Sequence, residues 1–445
     1  MSQQEPPHPP VLYQTQTKLA LDNFQFSGVP LPPPFIHALG FVKAACATAN
    51  RELGLLAPDK SEAIWEAAME IAHGEHDMQF PIDVFQTGSG TSTNMNANEV
   101  IATLACRRLG SPLHPNDDVN LGQSSNDVIP TTIHVSALCE CNRHLIPAIE
   151  ALINAIAHHA KNCKDTVKTG RTHLMDAMPI TLGQEMSGWS AQLSQSVARI
   201  KDTLVRVSQL AIGGTAVGTG VNSHPGFGAR VASALTQQLG ITFMVTDNHF
   251  AALSAQDTAV ELSGQLNTLA VALMKISNDL RWMNSGPLAG LGEITLPKLQ
   301  AGSSIMPGKV NPVIPEAVTM VCAQVMGNHQ TIVVAGQSGN FQLNVMLPLI
   351  ATNLLNTIEL LTQSCRHLSE KVFSTLTVNS ERLAEVLAQN PILVTALNRK
   401  IGYEKGAQIA QIAYQQKRPI LDVALEMTDL DEAQLRELLN PKNLV

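Results

Sequence analysis

The hydrophobic pattern is that of helices, several of them long. Apolar residues recur at helical spacing over 35–54 and 59–75, and a third helix is predicted from about Asn94 to Leu109. Further along, Ile133, Leu138, Leu145, Ile149, Leu152 and Ile156 mark one helix over 130–162. Similar runs follow over 182–213, 254–284, 315–336 and 348–373. These segments exceed the ordinary globular helix in length. With short polar connectors they predict an elongated bundle. Period-two alternation is nearly absent, so the fold class is mainly all-α, with a short strand expected near Thr242-Phe243-Met244-Val245-Thr246. A smaller helical unit begins at about Thr375, and the Pro-rich stretch up to Pro10 should be loose. The implied domains are 1–127, 128–373 and 374–445.

Composition narrows the function classes. The chain has 445 residues, a net charge of -8 and only 15% charged side chains, which excludes a basic nucleic-acid footprint or membrane-surface patch. Aromatics are 4%, in keeping with helices packed through small and aliphatic side chains. With so little charge, much of the outward surface is uncharged, and a sizeable subunit interface is one way to account for that. The 7 cysteines are irregularly spaced and form no Cys-x-x-Cys pair, so neither a metal site nor a disulfide framework is implied. No run of about 18 apolar residues offers a membrane span. The N-terminus lacks the apolar or Arg-rich pattern of a targeting segment, so the cytoplasm is the default compartment.

Four polar loops break the apolar background. Gly302-Ser303-Ser304-Ile305-Met306-Pro307-Gly308-Lys309-Val310-Asn311-Pro312 combines hydroxyls, a lysine and an amide with glycine and proline, the residues of loops. Glu316 follows it at the start of a long helix. Thr87-Gly88-Ser89-Gly90-Thr91-Ser92-Thr93-Asn94 sets hydroxyls and flexible glycines before a helix, a setting for anions. Gln123-Ser124-Ser125-Asn126-Asp127 also precedes a long helix, and capping alone would need only one or two of these residues. Gly170-Arg171-Thr172-His173-Leu174-Met175-Asp176 brings a histidine that a carboxylate could tune as acid or base. The four loops offer Ser, Thr, Asn, His and Lys, without a metal-ligand cluster, so no metal or other cofactor is expected. A small dicarboxylate is the guest that this donor set suits.

In this order and spacing the loops resemble the fumarase/aspartase superfamily. Gly302-Ser303-x-x-Met306-x-x-Lys309-x-Asn311 matches its signature, and the similarity extends over nearly the whole chain from about Leu12. Within the superfamily the chain looks most like class II fumarase. Supporting segments include Phe85-Gln86-Thr87-Gly88-Ser89-Gly90-Thr91, His114-Pro115-Asn116-Asp117-Asp118-Val119-Asn120 and Gly213-Gly214-Thr215-Ala216-Val217-Gly218-Thr219-Gly220. Thr172-His173 separates the class from aspartases, which usually carry Thr-Gln there. The resemblance implies a three-domain fold around a central long-helix bundle, and metal-free, reversible hydration of fumarate to L-malate through an aci-carboxylate. It implies Ser303 as the base that takes the C3 proton, with Lys309 and Asn311 clamping the adjacent carboxylate. Thr91, Ser124, Ser125 and Asn126 would hold the other carboxylate, with Ser89 in support and Thr172 facing the substrate. His173, paired with Glu316, would polarise the water. It also implies a homotetramer with each site assembled from three chains.

Some positions depart from the family. Leu121-Gly122 replace a common Lys-Ser, removing a cation and a hydroxyl beside the carboxylate-binding loop. Ser111-Pro112-Leu113 stand where basic residues are common, which weakens the family's second dicarboxylate site at His114, Asn116 and Asp117. Gln342 replaces a usual Glu. The alternatives are an aspartate ammonia-lyase, whose flavour Asn311-Pro312-Val313-Ile314-Pro315-Glu316 shares, and a non-catalytic scaffold on the same fold.

Overall fold

The structure is a computed structural model that describes residues 10–445, so the expected loose tail lies outside the described residues except for Pro10. In chain order the first elements are helices α1 (Thr15–Asn23), α2 (Pro33–Glu52), α3 (Pro58–Ala72), α4 (Thr91–Leu109), α5 (Ser125–Glu140) and α6 (Ile146–Asn162). Strands β1 (Val167–Thr172) and β2 (Met175–Thr181) precede α7 (Leu182–Val207), β3 (Gln209–Leu210), α8 (Phe227–Leu239), β4 (Met244–Val245), α9 (His249–Ser254) and α10 (Asp257–Met283). Then come β5 (Ile294–Thr295), α11 (Val313–Gly336), β6 (Gly339–Asn340), β7 (Leu343–Asn344), α12 (Leu347–His367), β8 (Thr377–Val378) and α13 (Ser380–Ala388). The C-terminal helices are α14 (Asn398–Ile401), α15 (Tyr403–Gln416), α16 (Ile420–Met427) and α17 (Glu432–Leu438). Mainly helical architecture is therefore what the periodicity dictated. No helix among the described residues is long and apolar enough to cross a membrane.

The chain forms two compact units, each discontinuous in sequence. The first comprises Met1–Pro147, Ser196–Ala270 and Ala323–Thr362; the second comprises Ala148–Gln195, Val271–Cys322 and Gln363–Val445. The first unit is organised around α2, which packs on α3, α5 and α8. Phe35, Leu39, Val42, Ala45, Cys46 and Ala49 of α2 are fully buried, and so is Lys43. In the second unit Leu387, Leu397, Ile409, Val423 and Leu435 form the core of the C-terminal helices.

Helix boundaries moved where side chains cap. The third helix starts at Thr91 rather than Asn94, because Thr87 Oγ1 accepts from Ser92 N at 3.0 Å and Gln86 Oε1 from Thr93 N at 3.0 Å. Likewise α5 starts at Ser125, ahead of Pro130, because Ser124 and Asp127 form a capping box. The expected continuous helix over 130–162 is widened by a π-helical stretch at Cys141–Leu145. The short strand near 242–246 is present as β4, paired in parallel with β3.

One sheet element escaped the periodicity. β1 and β2 form an antiparallel hairpin with an irregularity between Thr169 and Arg171. Its inward positions are charged, which hides the strand pattern. Lys168 is 2% exposed and donates to Glu293 at 2.5 Å and Glu185 at 2.7 Å, while Arg171 donates to the other Glu293 oxygen at 2.5 Å. Each charge has a partner, as burial requires. Lys168→Met would leave the 4%-exposed Glu293 carboxylate short of one of its two cations. It should lower stability by about 3 kcal/mol, and the Lys168→Met/Glu293→Gln double variant should recover part of that loss. Thermal denaturation checks both, and an unchanged midpoint in the single variant would remove the pair as an anchor.

Candidate active site

The sequence-predicted residues divide between the units. Ser89, Thr91, His114, Asn116, Asp117, Ser124, Ser125 and Asn126 belong to the first; Thr172, His173, Ser303, Lys309, Asn311 and Glu316 belong to the second. Each set is built by its own local geometry.

In the first unit the loop before α4 and the loop before α5 come together. Gly90 takes a left-handed φ of 72°, and a side chain there would run into Ile129 of α5. Ser89 Oγ and Thr91 Oγ1 share a hydrogen bond of 2.7 Å, and Asn94 Nδ2 donates to Ser125 Oγ at 3.1 Å. Ser124 Oγ accepts from Asn126 N at 3.2 Å, and Asn126 Nδ2 donates to the Ala216 carbonyl at 2.7 Å. The result is a half-buried surface of hydroxyls and amides, with donors free to turn toward an anion.

The carboxylate of Asp127 fixes this surface from below. Fully buried, it accepts from Ser124 N at 3.0 Å, Gly213 N at 3.0 Å and Thr215 N at 2.9 Å. Burial pushes its carboxyl above the ordinary range, opposed by those backbone donors and by Lys43. Gly122, one of the departures from the family, has a φ of 72°, a backbone state that glycine enters without strain.

His114 caps the short π-helical turn at Pro115–Val119 and is exposed. Its Nδ1 accepts from Asn116 N at 3.3 Å and Asp117 N at 3.1 Å, although the Asp117 carboxylate also lies 3.2 Å away. The two backbone donors define Nδ1 as an acceptor, so the Asp117 contact is no ion pair in this arrangement. Lys60 is held by Asp118 of the same turn at 2.7 Å. The turn thus presents carboxylates rather than cations, a poor match to a dicarboxylate.

In the second unit the 302–312 segment is a closed loop. Gly302 N donates to the Lys309 carbonyl at 3.1 Å, and Asn311 Nδ2 donates to the Gly302 carbonyl at 2.8 Å. A Cβ on Gly302 would stand 2.3 Å from the Lys309 oxygen, so only glycine allows the closure. Ser303 Oγ accepts from Ile305 N at 3.2 Å and Met306 N at 3.0 Å. Two backbone donors aimed at one hydroxyl oxygen favour its deprotonated form. Lys309 is exposed. Lys309, Asn311 and Glu316 line one cavity of about 410 Å³. Asn278, Arg281 and Trp282 of α10 line it too, and the polar loops gave no sign of them.

Thr172 and His173 sit at the tip of the β1–β2 hairpin. His173 and Leu174 have φ of 57° and 61°, the left-handed pair of a two-residue hairpin turn. Neither residue favours that state, and strain of this kind collects at functional positions. The tip is exposed and presents the imidazole outward. His173 and Ser303 do not line the cavity that contains Glu316. Among the described residues, Glu70, Glu75 and His76 are spaced like metal ligands, but they lie outside all four loops, and Glu70 is engaged by Arg108.

Comparison with known proteins gives these loops a family. A family model described as Lyase matches residues 7–327, and one described as Fumarase C C-terminus matches 393–445. The chain is 58% identical over 433 residues to a fumarate hydratase class II of Xylella fastidiosa, covering 97% of this chain and 92% of the relative. To the corresponding protein of Mycobacterium tuberculosis it is 52% identical over 416 residues, covering 93% and 88%. Its structure matches the class II fumarase of Schistosoma mansoni with a TM-score of 0.95 at 40% identity, over 98% of this chain and 95% of that one. By its loops, its helices and these full-length matches, the chain belongs to the class II fumarate hydratase family of lyases.

Proposed function

We propose that the chain catalyses the reversible hydration of fumarate to L-malate. The closed Gly302–Asn311 loop carries this reading, because one short segment holds a serine oxygen under two backbone donors and also carries a lysine and an amide. In the dehydration direction, from malate to fumarate, the Ser303 alkoxide takes the C3 proton. The C–H electron pair passes into the neighbouring carboxylate, which becomes an aci-carboxylate dianion. Lys309 and Asn311 hold the added charge, the step at which preorganised donors contribute most. Return of that pair forms the carbon–carbon double bond and expels the C2 hydroxyl, which leaves as water with a proton from the His173 side. Glu316 positions His173 for this transfer.

Thr91, Ser124, Ser125 and Asn126 hold the remote carboxylate, Ser89 supports Thr91, and Thr172 faces the substrate. The loops come from three chains of a homotetramer, and the enzyme works in the cytoplasm without a metal. Full-length relatives named fumarate hydratase class II support the substrate assignment. Thr172-His173 favours it over an aspartate ammonia-lyase.

Purified protein offered L-malate, L-aspartate or argininosuccinate with a chelator present should release fumarate, read by ultraviolet absorbance, from malate alone. Turnover confined to aspartate would overturn the assignment. Ser303→Ala should lower kcat by about 100-fold or more while KM stays within a few-fold, as for a group that acts mainly in the transition state. Near-normal kcat in that variant would remove Ser303 as the base. Gly302→Ala should open the loop and cost at least about tenfold in kcat/KM with an unchanged melting temperature.

A further inference from the structure

The segment Asn120–Asp127 that presents Ser124, Ser125 and Asn126 contains a single charged side chain, and it is negative: the buried Asp127. A dianion bound above it would meet an uncompensated carboxylate. The compensating cation comes from another helix. Lys43 of α2 is 0% exposed, and its Nζ donates to Asn120 Oδ1 at 3.0 Å and to Gln123 Oε1 at 2.9 Å. Asn120 Oδ1 also receives Asn94 Nδ2 at 3.2 Å and Asn98 Nδ2 at 3.3 Å, and the same Asn94 amide reaches Ser125 Oγ. Lys43 is therefore bound to the residue just before Ser124 and, through Asn120 and Asn94, to Ser125. Among the described residues it pairs with no carboxylate directly, which is unusual for a fully buried lysine.

We propose that Lys43 is a positioning residue for the reaction: from beneath the loop it supplies the positive charge that Leu121-Gly122 do not, and so sets the loop's affinity for the remote carboxylate. This rests on the fumarate reading above.

The geometry has a pH signature. Burial lowers the Lys43 ammonium to about 8, against the raising influence of Cys46 and Asp127. Cys46, on the same helix, is itself pushed up to about 12 by burial and stays neutral. Asp127 faces Lys43 from α5. On the packed elements, the cations Lys60 of α3 and Arg230 of α8 are paired with Asp118 and Glu52. The cation is present below its folded pKa and is lost as pH rises through it. A dianion on the loop favours the protonated form, so affinity falls, and KM rises, on the alkaline side.

Steady-state kinetics with fumarate between about pH 6.5 and 9.5 test this. In the wild-type protein KM should climb above about pH 8, reaching roughly tenfold. Lys43→Met, checked for folding by circular dichroism, should raise KM at neutral pH more than it lowers kcat and should abolish the alkaline limb. Lys43→Arg, which does not titrate in this range, should hold KM nearer to wild type and also lose the limb. If Lys43→Met fails to fold, the wild-type and Lys43→Arg profiles decide. A wild-type KM that is flat across the range, or a limb that survives in either variant, overturns the inference. Absence of fumarate turnover by wild type at every pH would instead overturn the fumarate reading.

Discussion

The carboxylate of Asp127 is the constraint on which the first half of the candidate site depends. One side-chain oxygen caps the start of α5 by accepting from Ser124 N, and the other gathers Gly213 N and Thr215 N from a distant glycine-rich loop. Three backbone donors that would otherwise be orphaned are satisfied by a single buried group. That anchor sets Ser124, Ser125 and Asn126 side by side at the start of α5. Its cost is a negative charge under a surface meant for anions, and Lys43 offsets it.

The second unit solves a similar problem with the opposite arrangement. There Glu293 is the buried carboxylate, and it gathers cations, Lys168 and Arg171, from β1. This fixes the base of the hairpin whose tip follows Thr172 and turns through left-handed His173 and Leu174. Near Glu293 in sequence, the 302–312 loop closes on its own backbone and aims two N–H groups at Ser303. In both units a short polar segment on a stiff helical scaffold is held by buried ionic or backbone bonds, and some of its functional side chains, Ser124, Asn126 and Asn311 among them, also hydrogen-bond the backbone that holds it.

Much of this was legible in the sequence, and for physical reasons. Long helices announce themselves through apolar spacing, and all the long segments anticipated between Ile133 and Phe373 are helical over most of their length. The polar loops stood out because they interrupt that spacing. The hairpin at Val167–Thr181 was not legible, since its buried positions include Lys168 and its turn is His173-Leu174 rather than a glycine pair. Lys43 was missed although a signal existed: it shares a helical face with Ile36, Leu39 and Ala47, all of them buried. A charged residue on an apolar stripe has to meet a partner inside. Asn278, Arg281 and Trp282 reach the Lys309 cavity from a long helix, where nothing in the local pattern separates them from an ordinary polar face.

The division of the polar loops between chains is the central claim, and mixing inactive variants tests it most directly. Ser303→Ala and Asn126→Ala chains, each unfolded and refolded alone, should stay near background. Refolded together in equal amounts, they should recover about a quarter of wild-type fumarate hydration. Random assembly of a shared-site tetramer gives half the sites an intact Ser303 and, independently, half an intact Asn126. Activity no higher than that of the separate variants, in mixtures shown to contain hybrid oligomers, would place both residues of each site in one chain and contradict the account.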